Sequence, residues 1–96
     1  MPHPKIKKVF ESAVLGRDKM LCRMCGEIAD VAYQIISKNA FPNKGYVLEN
    51  GISLCDYCCE KASSVNTDDL EYGAVALYEK IGSSFLEALE KDDKKS

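Results

Sequence analysis

The sequence lacks several features that whole classes of protein require. Its 96 residues include no tryptophan and a single histidine. No apolar run approaches the roughly 20 residues of a transmembrane helix, and the opening residues, MPHPKIKKVF, have no apolar segment typical of a secretory signal. The length excludes a two-domain dinucleotide-binding enzyme, a TIM barrel or a long repeat array. We therefore expect one small domain over residues 1–96 that is neither secreted nor embedded in a membrane.

The chain also lacks the basic character of a dedicated nucleic-acid-binding protein. Thirteen Lys and Arg residues against fifteen Asp and Glu give a formal net charge of −2, whereas such proteins are usually basic. Positive charge is concentrated in the N-terminal third and negative charge follows residue 58. Any contact with nucleic acid would use the basic residues of that third, Lys5, Lys7, Lys8, Arg17, Lys19 and Arg23. The alternative is that these residues form a solvated face.

Apolar periodicity predicts a β-hairpin in the first half of the chain. Residues 28–36 alternate between apolar and polar side chains and are rich in β-branched types, as in a strand. Segments 46–48 and 52–54 predict two short strands, and Asn50-Gly51 between them is a strong turn pair. We predict a hairpin with a long loop over residues 28–54.

Helical periodicity is found on both sides of this hairpin. Residues 5–15 place their apolar side chains on one stripe, and Gly16 is suited to end that helix. Residues 56–64 predict a short helix. The segment 68–90 predicts the C-terminal helices. The first places the apolar residues Leu70, Ala74, Leu77 and Ile81 on one side and ends at Gly82, and the capping-box pattern from Ser84 to Glu87 begins the last. A charged tail follows, which we expect to fray.

Five cysteines are many for this length, and four of them form two C-x-x-C pairs. Cys22, Cys25, Cys55 and Cys58 are the paired residues, and the first pair begins a predicted knuckle over 22–26. Four thiolates complete a tetrahedral zinc site with no open position, which is the pattern of a structural metal. Two disulfides, a thioredoxin-like redox pair and an iron–sulfur centre are the alternatives. Without a secretion signal, zinc is favoured.

The residues around these cysteines resemble a known family. The run Cys22–Gly26, the stretch VAYQII and the segment FPNKGYVLENGISLCDYC resemble the HNH endonucleases, most closely the small stand-alone proteins of phages and bacteria. The C-terminal LYEKIGSSFLEAL is also similar to that subgroup. The resemblance covers about residues 5–90 and is most specific over 45–58. It implies an α+β fold with a zinc-stabilised ββα-metal core, HNH-like and treble-clef-like, flanked by N- and C-terminal helices. It also implies a cytoplasmic location, in a bacterial cell or a phage-infected host.

The resemblance assigns the family's catalytic positions to five residues here. The metal-ligating residue of the first strand falls on Tyr33, and the general base that follows it falls on Gln34. The motif asparagine that orients the base is retained as Asn50. The ligand directly after the second C-x-x-C falls on Cys59, and a further ligand falls on Ser63. Only the asparagine matches the family.

Their chemistry does not suit hydrolysis of a phosphodiester. The reaction needs a base that titrates near neutrality beside a hard cation. Gln34 cannot accept a proton, the phenol of Tyr33 is a poor magnesium ligand, and the sulfur of Cys59 is too soft. The only histidine, His3, lies between two prolines near the N-terminus and is interpreted as a terminal residue. We therefore do not expect an active enzyme.

These residues also have purely structural interpretations. Tyr33 and Gln34 are ordinary strand residues, and Asn50 could serve only its turn. Cys59 is interpreted as a small helix residue, with a zinc-ligand substitute or an intermolecular thiol as alternatives. Asp30 and Asp56 could recruit a metal but are better explained as hairpin and cap residues.

The preferred prediction is a zinc-binding, catalytically inactive HNH-like domain that acts as an interaction module. The acidity after residue 58 favours a protein partner or self-association, for instance through the apolar C-terminal helices. Nucleic acid stays an alternative through the basic N-terminal third. The competing functions are a divergent metal-dependent HNH endonuclease that cleaves DNA and, in a third class, a redox or metal sensor that uses Cys59.

Overall fold

The fold is a small α+β arrangement, as predicted. A computed structural model describes residues 4–94, so His3 lies outside the described residues. The elements in chain order are helix α1 (Pro4–Arg17), strand β1 (Val31–Gln34), strand β2 (Gly51–Leu54) and helices α2 (Asp56–Ser64), α3 (Ala74–Ile81) and α4 (Phe85–Lys94). Two short 3₁₀ turns, Lys38–Ala40 and Leu48–Asn50, lie between the strands. The principal dimensions are 33 × 26 × 22 Å.

The two strands form an antiparallel pair. The register joins Val31 to Leu54, Ala32 to Ser53, Tyr33 to Ile52 and Gln34 to Gly51. Continuity beyond the strands comes from the N–H of Ile35, which donates to the carbonyl of Asn50 at 2.9 Å. The predicted hairpin is therefore present, with the long loop between its strands.

Helices α1 and α2 cover opposite faces of this pair. Successive side chains of a strand point to opposite faces. On one face, the hydroxyl of Ser53 donates to the carbonyl of Val14 in α1 at 3.2 Å, and Gly51 lies directly against α1. On the other face, Ile52 and Leu54 are completely buried in the core that α2 shares. The short sheet thus receives a helix on each side.

The core lies mainly between the sheet and the three C-terminal helices. Its buried apolar side chains include Ile35, Phe41, Val47, Ile52, Leu54, Ala62, Leu77, Tyr78 and Ala88. Two edge-to-face aromatic contacts join the loop between the strands to the helices. Phe41 packs on Phe85 of α4 with ring centres 5.5 Å apart, and Tyr46 packs on Phe10 of α1 at 5.4 Å.

Three predictions about the hairpin were wrong in detail. The strand predicted over 28–36 is confined to β1, because Ile28 pairs with Leu21 across the knuckle instead of with β2. Segment 46–48 is not a strand, since the N–H of Asn50 donates to the carbonyl of Val47 and closes a 3₁₀ turn. Asn50-Gly51 is not the hairpin turn either, because Gly51 has extended backbone (φ −122°) and begins β2.

Helix α1 is longer than the predicted 5–15, and Gly16 lies inside it. The chain leaves the helix instead through Lys19 and Met20, both of which have left-handed backbone with φ of 57°. The predicted helix over 56–64 is confirmed as α2.

Helix α3 begins later than the predicted start at residue 68. The carboxylate of Asp69 accepts hydrogen bonds from two backbone N–H groups that follow it, and this local turn replaces the first helical turn. Leu70, predicted to face the core, is 98% exposed as a result. Gly82 ends α3 in left-handed conformation (φ 69°), as predicted.

Helix α4 continues to Lys94, within the charged tail that was expected to fray. Its start is as predicted, because the hydroxyl of Ser84 accepts a hydrogen bond from the N–H of Glu87 at 3.2 Å. The carboxylate of Asp92 is buried and accepts from the N–H groups of Asn43 at 2.8 Å and Gly45 at 3.2 Å. These bonds attach the last helix to the loop between the strands.

Candidate metal centre

Four cysteine side chains converge on one point between the knuckle and the start of α2. Their Sγ atoms all lie within 4.8 Å of one another, and the Cys25 and Cys55 sulfurs are 3.5 Å apart. Zinc–sulfur bonds of about 2.3 Å in a tetrahedron place neighbouring sulfurs about 3.8 Å apart. The four thiols are thus positioned to hold a metal ion. The described cysteines form no disulfide.

Local hydrogen bonds explain how the first pair is presented. The N–H of Gly26 donates to the carbonyl of Cys22 at 2.9 Å, and Gly26 has the left-handed backbone (φ 83°) that glycine adopts without strain. The knuckle is then fixed to the sheet, because the N–H of Arg23 donates to the carbonyl of Ser53 in β2 at 3.0 Å.

The second pair is positioned by the junction of β2 and α2. Cys55 occupies the N-cap position of α2 with extended backbone, and its carbonyl accepts the N–H of Cys59 at 2.8 Å. Cys58 lies in the first turn of the helix and is completely buried. Strand β2 and helix α2 therefore meet at the metal centre, and this junction directs the sulfurs of Cys55 and Cys58 toward the same point.

The thiols of the cluster differ in how readily they lose their protons. Burial alone would raise the pKa of the Cys22 thiol, but backbone N–H groups from Cys55, Cys25 and Met24 donate to its sulfur and lower the pKa to about 6. Burial raises the pKa of Cys58 to about 12. Binding of a metal to these thiols would displace the protons that they carry.

Tyr72 is a residue at this site that sequence reasoning missed. Its hydroxyl lies 3.4 Å from the sulfur of Cys58, where it can donate a hydrogen bond. Donors of this kind orient metal ligands and adjust their basicity. No spacing signal marks Tyr72, because it reaches the site through the turn before α3 that the sequence did not reveal.

An ion pair with a completely buried carboxylate lies at the end of α1, next to the knuckle. The guanidinium of Arg17 contacts both carboxylate oxygens of Asp18 at 2.7 Å, and the N–H of Ser53 donates to the same carboxylate at 3.1 Å. Burial would raise the pKa of Asp18, but the hydrogen bonds from Arg17 and Ser53 outweigh it and hold the pKa below its usual range. Arg23 lies 3.6 Å from this carboxylate.

The five family positions do not form one constellation in the described chain. Burial raises the pKa of the Tyr33 phenol, and the charge that Cys59 would carry if ionised adds to the rise. Gln34 follows on the opposite face of β1 and donates to the carbonyl of Lys44 at 2.8 Å. Ser63 is exposed and donates to the carbonyl of Glu60 at 3.0 Å. Burial raises the pKa of Cys59, which keeps it a neutral thiol outside the cluster of four.

Asn50 uses its whole hydrogen-bonding capacity inside the protein. Its Oδ1 accepts from the N–H of Ile36 at 3.1 Å and from the hydroxyl of Tyr78 at 2.7 Å. Its Nδ2 donates to the carbonyls of Ile36 and Gly45, each at 3.1 Å. An asparagine side chain has two donors and two acceptor sites, so nothing is left for a substrate or a base.

The basic N-terminal third is only partly available to a partner. Arg17 also donates to the carbonyls of Leu48 at 3.0 Å and Gly51 at 2.8 Å. Arg23 donates to the carbonyl of Lys80 at 2.7 Å. Lys7, Lys8 and Lys19 are exposed, and the side chain of Lys5 lies outside the description.

Comparisons of the chain with protein-family models, with curated proteins and with solved structures found no match. Among the described residues, the helices are too short or too polar to cross a membrane. Function is therefore inferred from the residues of the sites themselves.

Proposed function

We propose that this chain is a zinc-stabilised HNH-like domain without nuclease activity that works as a binding module. The observation that carries the proposal is that every hydrogen-bonding group of the Asn50 side chain is used inside the protein. The neighbouring strand β1 has no residue that can act as the base. Four cysteines positioned for a metal stand next to family positions whose side chains serve the fold. The two features together favour a scaffold kept for its shape.

Zinc is the metal that the donor set fits best. Cysteine sulfurs are soft ligands that select zinc over magnesium or calcium, and four of them leave no open position for chemistry. Cys22, Cys25, Cys55 and Cys58 would hold the ion. When bound, it would supply a cross-link between the knuckle and the start of α2, which contributes directly to folding free energy.

The order of elements around the cysteines supports the HNH-like assignment. A knuckle is followed by two antiparallel strands, and a helix begins at the second cysteine pair. This is the order that a ββα-metal core requires. Tyr33 in β1 and Cys59 in α2, the two residues that the resemblance assigns to metal ligands of the family, both pack against the buried core.

The chemistry of the described residues argues against hydrolysis. An active site of this design needs a proton acceptor within reach of a water molecule. The amide of Gln34 cannot take a proton and is bonded to a loop carbonyl. The neutral thiol of Cys59 is a mismatched ligand for a hard cation.

A protein partner or a second copy is favoured over nucleic acid. Arg17 spends its donors on Asp18 and on two backbone carbonyls, and Arg23 is bonded to Lys80. These contacts leave mainly lysines for phosphate contacts, on a chain whose net charge is −2. Electrostatic attraction to phosphate would therefore be weak.

Metal analysis tests the zinc assignment. We expect elemental analysis of the purified protein to give one zinc per chain, and cobalt substitution to give the absorption of a tetrahedral thiolate site. A strong chelator should remove the ion and the fold together. A fully folded protein without metal would contradict this part of the proposal.

A cleavage assay tests the loss of activity. Plasmid and linear DNA are incubated with the zinc-loaded protein and added Mg²⁺, Mn²⁺, Ni²⁺ or Zn²⁺, and we expect no cleavage above a buffer control. Gln34→Ala and Cys59→Ala are the matched variants, because Asn50→Ala would disturb the fold. Cleavage that disappears in either variant would overturn the proposal in favour of a divergent nuclease. The variant Tyr33→His/Gln34→His/Cys59→His reports whether the scaffold still supports the chemistry.

A further inference from the structure

The outer edge of β2 is already occupied. The carbonyl of Gly51 accepts a hydrogen bond from Arg17 at 2.8 Å. The carbonyl of Ser53 accepts from the N–H of Arg23, and its N–H donates to the carboxylate of Asp18 at 3.1 Å. An edge covered in this way cannot add another strand.

Among residues 4–94, the outer edge of β1 is open. Ala32 and Gln34 pair in register with Ser53 and Gly51, and directly opposed residues of an antiparallel pair turn their backbone groups either toward each other or both outward. Because the backbone groups of Ser53 and Gly51 point outward, those of Ala32 and Gln34 also point outward. Within the described chain, no group bonds to their backbone N–H and C=O. The strand Val-Ala-Tyr-Gln has neither the proline nor the charge that usually protects such an edge.

A groove of about 470 Å³ lies beside this open edge. Residues 31–35 form one wall, and Lys7, Phe10 and Glu11 of α1 stand across from them. The loop between the strands completes the lining with Ser37, Lys38 and Tyr46. Lys7 and Glu11 are four residues apart and share one face of the helix. The groove therefore presents a strand edge together with two positive side chains, Lys7 and Lys38, and one negative side chain, Glu11.

We infer that the open edge of β1 pairs with the same edge of a second copy of this chain. A two-fold axis through Tyr33, perpendicular to the sheet, would place Ala32 of each copy opposite Gln34 of the other. Their outward groups would then make four backbone hydrogen bonds, and the sheet would have four strands. The two Tyr33 rings would be direct cross-strand neighbours on the α2 side.

The charges of the groove fit this partner. The axis keeps both copies of α1 on one side of the sheet and runs them antiparallel. Lys7 of one copy would then face Glu11 of the other, and the reverse pair would form by symmetry. One surface supplies both halves of an isologous interface, whereas a foreign extended peptide would have to match these charges independently.

The interface is small, because only four residues of each strand take part. We therefore expect a weak dimer, with a dissociation constant on the order of 100 µM. The inference deepens the proposed binding function by naming its partner and face, and it rests on that function.

Sedimentation equilibrium of the zinc-loaded protein tests the pairing. From micromolar to millimolar concentration, we expect the mass to rise from 10.6 kDa toward twice that value. Ala32→Pro removes an outward N–H and leaves the bonds to β2 in place, so it should weaken the dimer at least about tenfold. Its zinc content and melting temperature check that the variant folds.

A charge exchange on α1 gives an independent test that does not touch the sheet. Lys7→Glu and Glu11→Lys should each weaken the dimer, because like charges would meet across the axis. The double variant should restore it. A wild-type protein that stays monomeric at every concentration would overturn the inference and leave the edge to an extended segment of another protein. A dimer that none of these variants changes would overturn it as well.

Failure of the dimer inference can be distinguished from failure of the proposed function. Cleavage of DNA would remove the proposed function and leave the mass measurements unchanged. A monomer without cleavage would remove only this inference.

Discussion

The side chain of Asn50 connects several parts of the interior. Its amide joins the segment after β1, the loop at Gly45 and the hydroxyl of Tyr78 in α3. The side chain is completely buried, and its bonds to Gly45 and Tyr78 lie in the interior, so these two groups have no access to water as a substitute. These contacts explain the presence of Asn50 by its contribution to the fold.

We expect Asn50→Ala to lower the free energy of unfolding by about 3 kcal/mol or more, because several buried groups would lose their partners at about 1–3 kcal/mol each. Tyr78→Phe removes one of the bonds and should cost about 1 kcal/mol. Denaturation in guanidinium with excess zinc measures both. Asn39→Ala, at an exposed position, is the control and should change stability by less than about 0.5 kcal/mol. Equal stability of the Asn50 and Asn39 variants would contradict the assignment.

Asp18 gives a prediction about pH. Its pKa is below the usual range in the folded protein, so its contribution to stability is fully present above the unfolded-chain value of about 3.9 and is lost as pH falls through the lower folded value. We expect Asp18→Asn to lower the melting temperature by the same amount at every pH from about 5 to about 8. Thermal melts of both proteins with excess zinc measure this difference. A difference that shrinks between those limits would show that Asp18 titrates there and is not held ionised.

At the scale of elements, the contact between α1 and β2 depends on the absence of a side chain at Gly51. A Cβ at this position would be too close to Val14 and Phe10 of α1. The backbone of Gly51 is extended, so the need for glycine is one of space and not of conformation.

We expect Gly51→Ala to destabilise the protein by about 1–3 kcal/mol, because α1 would have to move away from the sheet. Gly16→Ala is the matched control within α1. A Cβ there meets nothing within 4 Å, and alanine in a helix should stabilise by about 0.5–1 kcal/mol. Urea denaturation of the two variants measures both values. Changes of the same sign would contradict this packing.

Elements with a strong local signal were predictable from the sequence. The cysteine pairs marked the knuckle and the start of α2, and Ser84 marked the start of α4. Errors arose where a distant or side-chain contact decides the backbone. The carboxylate of Asp69 delays α3, and the inward amide of Asn50 turns a predicted strand into a 3₁₀ turn. Spacing along the chain carries no information about such contacts.

At the scale of the whole molecule, the four sulfurs bring together two parts of the chain that are distant in sequence. The knuckle follows α1, whereas Cys55 and Cys58 begin the C-terminal half. A chain of this size buries only about 60–65% of its unfolded surface, so a metal that joins these halves would decide whether the fold is stable.

We expect Cys55→Ser to abolish zinc binding and with it the cooperative thermal transition, because a structural site with three thiolates loses most of its affinity. Cys59→Ser is the control, since its sulfur is outside the cluster, and it should keep both. Metal content and circular dichroism measure the two properties. Loss of zinc in the control would identify Cys59 as a ligand and revise the site.

The attachment of Asp92 to the loop at Asn43 and Gly45 has a consequence for synthesis. The hairpin residues leave the ribosome well before Asp92, yet the N–H groups of that loop receive their acceptor only from this carboxylate. A nascent chain stalled upstream of Asp92 would therefore carry a hairpin whose long loop is still unfastened, and this is the stage at which protease or chaperone would find it most accessible.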